Sequence, residues 1–385
     1  KRTEKFRAKF LLETVTKLKH ALEKLNITLY VYVGDSEKYL PELIRQHDID
    51  SVYLQKEWTR DEENILSRVK EKIPDSIKFN ASYDQFLFHP HDIPYDEVIN
   101  IPNIFTNFRK KCEAYCDVRS LNTISARMPK ENFVTIEKSV PTLMDLGFED
   151  FQMDPRSSFP FRGGELEAVK RLQNYFWDTK KLAVYKKTRN GLIGTDYSSK
   201  LSAWLANGSI SPKIIYWEVR KFENEVVKNQ DTYWLIFELI WRDYFKYISL
   251  KYKQNIFRLE GILNKQYSWN NNTVTKNNWI FSTTKEPFVN ANMKELAQTG
   301  WMSNRGRQNV ASFWSKELQQ DWRIGAAYFE SMLIDYDVHS NWGNWMYNSG
   351  VGNDPRDRRF NIKSQAQRYD SNGKYQQIWL QESLF

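Results

Sequence analysis

The sequence predicts an α/β domain with a parallel, Rossmann-like sheet at its N-terminal end, followed by a mainly α-helical domain. Three observations support this prediction. Helical and strand-like patterns alternate between Phe6 and Lys72, helical periods dominate from Glu165 almost to the C-terminus, and 385 residues are enough for two cores. Alternating helices and strands are typical of a parallel sheet whose strands are joined by crossover helices.

Each element of the α/β domain, predicted over residues 1–119, follows from its own pattern. Apolar side chains between Phe6 and Leu25 recur at helical spacing with charges between them, which predicts an amphipathic helix. The elements predicted next are a strand at Thr28–Val33, a helix at Tyr39–Ile44, a strand at Ser51–Leu54 and a helix over about residues 60–72. Because the unit starts in a helix, we expect its sheet to be incomplete at its start, with the first strand outside this chain.

A long interdomain connection is predicted over residues 120–164, where Pro, Ser, Gly and mixed charges replace any regular period. The helical domain is predicted over residues 165–385. Its helices are separated by breaks at Gly191, Gly194, Pro212, Pro287 and Pro355.

The composition excludes several classes of protein. Basic residues outnumber acidic ones by 56 to 48, and this net charge of +8 favours a polyanionic partner without identifying one. Cys112 and Cys116 are too few for a disulfide framework or a metal site, so we expect reduced thiols and no metal. Without an apolar run of bilayer length or an N-terminal signal, the chain is predicted to be soluble, intracellular and cytoplasmic, with no membrane partner.

Aromatic side chains are abundant, and most of the 14 tryptophans lie in the second half of the chain. A helical core built from large side chains explains any single tryptophan. The segments around them must therefore decide whether some have another role.

Two segments of the helical domain carry the first candidate chemistry. Gly194–Ser202 joins a turn to hydroxyls and a lysine at a helix start, where unpaired N–H groups suit a phosphate, although ordinary N-capping explains the same pattern. Further on, Glu238 and Arg242 lie four apart in an apolar helix. They form either a buried ion pair or, with Trp241, one wall of a cavity for a flat polar heterocycle.

Two later segments add charged groups. Thr299–Asn309 places two arginines around a flexible turn, which suits a phosphate and a solvated basic surface equally well. Asp335 and Asp337 follow an apolar stretch and can either coordinate a metal or accept hydrogen bonds from an organic cofactor. Since no further ligands occur at metal-binding spacing, the organic cofactor is favoured.

Four motifs occur together in the order Gly194–Lys200, Trp241–Phe245, Ser303–Asn309 and Ile334–Trp345. In this combination the chain resembles the photolyase/cryptochrome superfamily over nearly its whole length, and the form of the third motif is typical of the DASH branch. The resemblance implies an α/β antenna domain and a helical, catalytic domain that binds FAD, in a protein expected to be a monomer.

The resemblance implies a set of FAD contacts around the phosphates, the ribitol and the flavin ring. These are Tyr185, Ser198, Ser199, Lys200, Leu201, Ser202, Arg242, Trp301, Arg307, Asp335, Asp337 and Asn341. A negative pyrophosphate is stabilised by a helix start and by cations, and Asn341 would offer a polar partner to flavin N5.

The resemblance also implies a path for electrons through three tryptophans, from the flavin to Trp345, then Trp322 and finally Trp269 at the surface. Trp279 is an alternative for the last position, because the asparagine-rich stretch between it and Trp269 can shift the register.

The activity that the resemblance implies is light-driven repair of cyclobutane pyrimidine dimers, preferentially in single-stranded DNA, by electron transfer from reduced FAD. Glu238, Trp241, Asn304 and Asn341 form the implied catalytic set. The implied DNA contacts are Arg189, Glu238, Trp241, Asn304, Arg305 and Tyr347. Tyr347 and Gln308 stand where other dimer photolyases usually carry Trp and Met, which suits the DASH branch.

An antenna, 5,10-methenyltetrahydrofolate, is implied as a second chromophore with Glu57 as its contact, and an exposed acid at a strand end is the alternative interpretation of Glu57. Two other functions stay open. One is a blue-light photoreceptor that binds FAD, and DNA or a protein, without repair; the other is a basic helical DNA-binding module without the yellow colour of a flavin.

Overall fold

The computed structural model describes residues 2–123, 126–135 and 139–381. The first part contains α1 (Lys5–Glu23), α2 (Ser36–Gln46), β1 (Ser51–Gln55), α3 (Arg60–Lys70), β2 (Lys78–Ser82) and α4 (Phe105–Tyr115). The second part contains α5 (Glu165–Gln173), α6 (Tyr185–Thr188), α7 (Ser202–Ala206), α8 (Pro212–Glu225), α9 (Gln230–Tyr252), α10 (Thr273–Ile280), α11 (Pro287–Thr299), α12 (Asn304–Ser312), α13 (Trp322–Met332), α14 (Val338–Ser349), α15 (Ile362–Tyr369) and α16 (Lys374–Leu380). The predicted fold class, an α/β unit followed by a helical domain, is confirmed.

The sheet is parallel, as predicted. β1 pairs with β2 in a register that sets Ser51 opposite Lys78 and Gln55 opposite Ser82, and α3 makes the crossover between them. β2 was missing from the sequence-based prediction because Phe79 is its only large apolar residue, so neither an apolar run nor a clear alternation marks it.

The predicted strand at Thr28–Val33 is wrong. In the described chain β1 has β2 as its only ladder partner, and residues 28–33 do not form a strand. Thr28 instead uses its side chain: its hydroxyl donates to the carbonyl of Val134 at 2.9 Å and accepts from the Val134 N–H at 2.8 Å. A β-prone sequence becomes a strand only where a neighbouring strand completes the ladder.

Helix α9 is the central helix of the second part. It starts with a capping box, in which the Asn229 side chain accepts from the Thr232 N–H at 2.9 Å and the Thr232 hydroxyl accepts from the Asn229 N–H at 3.2 Å. Buried residues occur on all sides of α9 between Leu235 and Ser249. A helix that is apolar all round is expected to lie in the core in this way.

Side chains of α9 also fasten the first part of the chain to the second. The buried Asp243 carboxylate accepts three hydrogen bonds of 2.8–3.0 Å from the N–H groups of Leu87 and Phe88. The Tyr247 hydroxyl donates to the Phe88 carbonyl at 2.6 Å. Because these backbone groups belong to a loop without regular structure, Asp243 supplies partners that no helix or strand provides.

None of the helices in the described ranges is long and apolar enough to cross a membrane.

Candidate functional site

Two adjoining cavities open into the helical domain. The first cavity lies among α12, α13 and α14, and the second extends from them towards α9. Five residues line both: Asn304, Gln308, Ser340, Asn344 and Asn348. The two cavities therefore share a wall of side chains, and groups bound in them would be close neighbours.

A buried ion pair forms one wall of the first cavity. Arg307 donates from Nη2 to both carboxylate oxygens of Asp335, at 2.9 and 3.0 Å. The Ser202 hydroxyl donates to the same carboxylate at 2.7 Å, and Arg307 Nε donates to the Met302 carbonyl at 2.9 Å. This network brings together three residues that the sequence placed far apart, and it fixes the Arg307 guanidinium at the edge of the cavity.

Asp337 is held in a second ion pair next to the first. Its carboxylate accepts from Lys246 Nζ at 2.9 Å and from the Ser340 N–H at 2.8 Å, where it caps α14. Burial by itself raises the pKa of Asp337, but the charges of Lys246, His339 and Arg242 outweigh burial and hold it well below its usual range. Both aspartates thus have partners within the protein, and in the described ranges no three His, Cys, Asp or Glu side chains form a metal site.

Asn341 and Trp345 complete the first cavity from α14. Asn341 lines the cavity, and its Nδ2 donates to the Ala326 carbonyl at 3.0 Å, which orients the amide. Trp345 packs against α13 at Gly325, where a Cβ atom would lie 2.2 Å from the indole. Only glycine allows α13 to approach this ring so closely.

The predicted phosphate-binding residues lie outside the linings of the two cavities, in the turn before α7. Lys200 adopts a left-handed φ of 63°, and its side chain is buried with Nζ 3.2 Å from the centre of the Tyr197 ring. Its N–H group, together with the Ser198 and Ser199 groups, can still contact a phosphate. The Lys200 ammonium cannot, because it points into the core.

Arg171 is a residue that sequence reasoning missed in this turn. Its buried guanidinium donates to the carbonyls of Thr195, Ser198 and Ser199 at 3.0–3.1 Å. Turning these carbonyls inwards towards a cation fixes the shape of the turn. The spacing of Arg171 from the motif, across α6, carries no local signal that could have revealed it.

Three other predicted FAD contacts lie in the core or at the second cavity. Tyr185 and Trp301 are buried, and the Trp301 ring stacks on Phe159 with ring centres 4.5 Å apart. Arg242 lines the second cavity but donates to the carbonyls of Gln85 and Leu205, at 2.6 and 3.3 Å.

The second cavity brings together all six predicted DNA contacts. Glu238 forms an ion pair with Arg189, with Oε1 and Nη1 2.5 Å apart, and burial raises the pKa of Glu238. The alternative pair predicted from sequence, Glu238 with Arg242, is not the one that forms. Helical spacing allowed it, but Arg189, the residue that follows α6, pairs with the carboxylate instead.

Trp241 presents one face to the second cavity. Its other face stacks on Phe105 with ring centres 3.6 Å apart and an angle of 11°, and Tyr347 meets it edge-on at 5.9 Å. Sequence reasoning missed further lining residues, which are Phe237, Phe245, Asp354, Arg358 and Phe360. Two of them follow Pro355, where the sequence indicates only a break.

The three tryptophans of the predicted electron path lie in different surroundings. Trp345 and Trp322 are buried and belong to adjacent helices, whereas Trp269 is half-buried with Tyr267 as its ring neighbour at 5.6 Å. Trp279, the alternative surface position, is fully buried against Trp345 at 6.3 Å. Its place in the core argues against a role at the end of a path.

Glu57, the predicted antenna contact, follows β1 and faces α14. Its carboxylate lies 3.8 Å from Nε2 of His339, whose ring stacks on Trp58 at 4.7 Å. Glu57 is therefore a partly buried residue between the two parts of the chain rather than a freely exposed acid.

A pair of buried titratable groups lies beneath the phosphate-binding turn. The Glu295 carboxylate accepts from the Tyr375 hydroxyl at 2.6 Å, while its other oxygen and Lys200 Nζ have no hydrogen-bond partner. Burial raises the pKa of Glu295 to about 7 and lowers the pKa of Lys200 well below its ordinary value.

Glu295→Gln is expected to flatten the dependence of stability on pH. A raised pKa in the folded state stabilises the protein fully below the ordinary pKa of glutamate, and this stabilisation is lost as pH rises to about 7. For Glu295 the loss is about 3 kcal/mol. Urea unfolding at pH 5 and pH 8 should therefore show a smaller difference in the variant than in the parent protein. Glu218→Gln, at a glutamate that accepts from Trp177, is the control, and parallel curves for Glu295→Gln and the parent would contradict the prediction.

Comparisons with known proteins agree with these features. A family model described as "DNA photolyase" matches residues 1–130, and one described as "FAD binding domain of DNA photolyase" matches residues 234–383. A cryptochrome DASH from Danio rerio is 44% identical over 99% of this chain and 74% of its own length. One from Synechocystis sp. is 42% identical over 99% of this chain and 78% of its own length.

Solved structures show the same fold. The crystal structure of a Synechocystis sp. cryptochrome superposes with a TM-score of 0.92 at 43% identity, covering 98% of this chain and 78% of that one. A bacterial class III photolyase from Agrobacterium tumefaciens matches with a TM-score of 0.78 at 24% identity, covering 97% of this chain and 77% of that one.

Proposed function

Because this chain belongs to the photolyase/cryptochrome family and carries its FAD-binding domain, we propose that it is a DASH-type photolyase. In this proposal the chain binds FAD in the first cavity and repairs cyclobutane pyrimidine dimers under blue light, preferentially in single-stranded DNA.

The observation that supports this proposal most directly is the wall of side chains that the two cavities share. Asn304, Gln308 and Asn344 line both of them, so a base in the second cavity and a flat ring in the first would be separated by a single layer of side chains at most. Transfer of an electron between two bound groups requires this proximity. A carbon–carbon lyase of this kind needs no acid–base triad.

The residues of the first cavity suit FAD. The guanidinium of Arg307 offers a cation to a phosphate or to a ring carbonyl, and Asn341 lines the cavity with an amide whose oxygen can accept from a ring N–H. Ser198–Ser202 would hold the phosphates through backbone N–H groups at the start of α7. When bound, FAD supplies the photochemistry, since it absorbs blue light and exchanges single electrons.

The second cavity suits a pair of extruded pyrimidines. The open face of Trp241 provides a stacking surface, the Glu238 carboxylate can accept hydrogen bonds from base N–H groups, and Arg358 adds a cation at the opening. Extruding a base from a duplex costs a few kcal/mol, and the cost is smaller for a single strand. This difference supports the proposed preference for single-stranded DNA.

A blue-light receptor without repair activity is the second candidate, and one observation favours it. Glu238 is already paired with Arg189 at 2.5 Å, so a substrate must compete with an existing ion pair for this carboxylate. In a receptor the pair would simply close the cavity.

We further propose 5,10-methenyltetrahydrofolate as the antenna, with Glu57 as one contact. The Glu57 carboxylate is partly exposed and is positioned by His339. The test is the absorption spectrum of the chromophores released from the purified protein, compared with that of Glu57→Gln. A folate band that is equally strong in both would remove Glu57 from the proposal.

The repair proposal is tested with flavin reduced in advance and a thymine-dimer oligonucleotide, single-stranded or duplex, illuminated or kept dark. We expect light-dependent loss of the lesion mainly in the single strand. Glu238→Gln is expected to weaken repair by about 10-fold, because one charge-assisted hydrogen bond to the substrate is lost. Glu218→Gln is the matched control. If the parent protein reduces its flavin normally but repairs neither form of DNA, the receptor function replaces the enzyme.

A further inference from the structure

Trp342 is a tryptophan of α14 that the predicted electron path does not use. Its ring meets Trp322 edge-on, with ring centres 5.7 Å apart and an angle of 78°. Trp342 is half-buried and lines a surface groove together with Arg60, Arg323 and Glu330. It thus connects a fully buried tryptophan with solvent.

The indole N–H of Trp342 also has a base beside it. Trp342 Nε1 donates to Glu330 Oε2 at 3.3 Å. Oxidation makes the indole N–H far more acidic, so an adjacent carboxylate can take its proton and trap the radical at that position. The groove brings water to the same carboxylate, which can then release the proton.

Trp269, the terminus that the family resemblance implies, lacks these features. Its Nε1 atom is buried without a hydrogen-bond partner, and its ring neighbour is Tyr267. In the described chain the ring that contacts Trp322 belongs to Trp342.

We propose that Trp342, with Glu330 as its proton acceptor, is the terminal electron donor for photoreduction of the bound flavin. The proposal rests on the proposed function only in that FAD occupies the first cavity beside Trp345. It adds the end point of the electron path, which is formed by Trp342 of α14 and Glu330 of α13.

The steps balance as follows for one photon. Trp345 gives one electron to the excited flavin and is oxidised to a radical cation. Trp322 gives an electron to Trp345, and Trp342 gives one to Trp322. Trp342 then loses its Nε1 proton to Glu330, which passes it to water. A thiol in solution returns one electron and one proton to the neutral Trp342 radical, so that the chain is restored and the thiol is oxidised.

The helix packing supports the inner step of this path. Trp345 lies directly against α13 at Gly325, one helical turn after Trp322. Trp342 lies one turn before Trp345 on α14. Trp345, Trp322 and Trp342 thus alternate between α14 and α13 on the way from the first cavity to the groove.

The test compares Trp342→Phe, Trp269→Phe, Glu330→Gln and Trp345→Phe in the flavin-loaded protein with a thiol present. Transient absorption follows the neutral tryptophan radical, and mass spectrometry after illumination with a spin trap identifies the tryptophan that carries it. Trp217→Phe, at an exposed tryptophan of α8 that donates to the Arg119 carbonyl, is the matched control. Flavin content and melting temperature establish that each variant is folded.

We expect Trp342→Phe to reduce the yield of the long-lived radical by at least about 10-fold and to remove the trap adduct from α14. Glu330→Gln should leave the first electron transfers unchanged but slow the loss of the indole proton by about 10-fold. Trp269→Phe and Trp217→Phe should behave like the parent protein. Repair by chemically reduced flavin should survive in Trp342→Phe.

The adduct on Trp269 with a normal yield in Trp342→Phe would overturn the proposal and would leave the repair function untouched. Normal photoreduction in Trp345→Phe would overturn the path at its first step, because electrons would then reach the flavin without Trp345. The proposed function fails only if the parent protein, with its flavin reduced in advance, repairs neither form of DNA. The two failures are therefore distinguishable in one set of proteins.

Discussion

Asp243→Asn is expected to lower the free energy of unfolding by about 3 kcal/mol. The carboxylate is fully buried and accepts three hydrogen bonds from the N–H groups of Leu87 and Phe88. Burial raises its pKa to about 6, so it is ionised at neutral pH and can accept all three. An amide can accept with only one oxygen, and its NH₂ group would then face a backbone N–H.

Urea unfolding measures the loss in stability, and hydrogen exchange followed by mass spectrometry locates it. In the variant we expect the amides of Leu87 and Phe88 to exchange much faster while the helices of the second part stay protected. Asp145→Asn is the control, because Asp145 also accepts from a backbone N–H, that of Thr142, but in an exposed loop. A Leu87 amide that stays protected in Asp243→Asn would contradict this role of the carboxylate.

Arg307→Met is expected to weaken binding of FAD by at least about 100-fold, which corresponds to about 3 kcal/mol. The change removes a cation from the first cavity. It also leaves the Asp335 carboxylate, whose side chain is 4% exposed, with Ser202 as its one remaining hydrogen-bond donor. Binding is therefore weakened in two ways: an attractive positive charge is lost, and the unpaired Asp335 carboxylate repels the negative phosphates of the cofactor.

The ratio of flavin to protein after purification and titration of the apoprotein with FAD measure this effect. A second variant, Arg307→Met with Asp335→Asn, should recover part of the affinity because the unpaired charge is gone. Arg323→Met is the matched control, since Arg323 also pairs with an aspartate, Asp321, but near the surface. Wild-type flavin content in Arg307→Met would show that the ion pair does not contribute to the flavin site.

Sequence patterns predicted the helices and strands that form because of residues within their own segment. α1, α2, β1 and α3 appear where periodicity and turn residues indicate them. β2 and the failed strand at Thr28–Val33 show the limit of the same reasoning. Whether a short segment joins a sheet depends on the ladder that a neighbour offers, and this neighbour is distant in sequence.

In the candidate site, too, some features were predictable from the sequence and others were not. Motif residues such as Glu238, Trp241, Asn341 and Asp335 are recognisable in the sequence because their types and order suit a flavin and a base. Their partners were not predictable. Glu238 pairs with Arg189 rather than with Arg242, which is nearer on its own helix.

The sequence by itself determined the fold class, the family and the residues that carry the flavin motifs, because periodicity, capping and motif order are properties of short segments. The tertiary structure decided which charges pair, that the Lys200 ammonium points into the core, and that Trp342 lies between Trp322 and Glu330. These outcomes depend on how helices pack, and a packing contact between residues far apart in the chain leaves no pattern in the sequence around either of them.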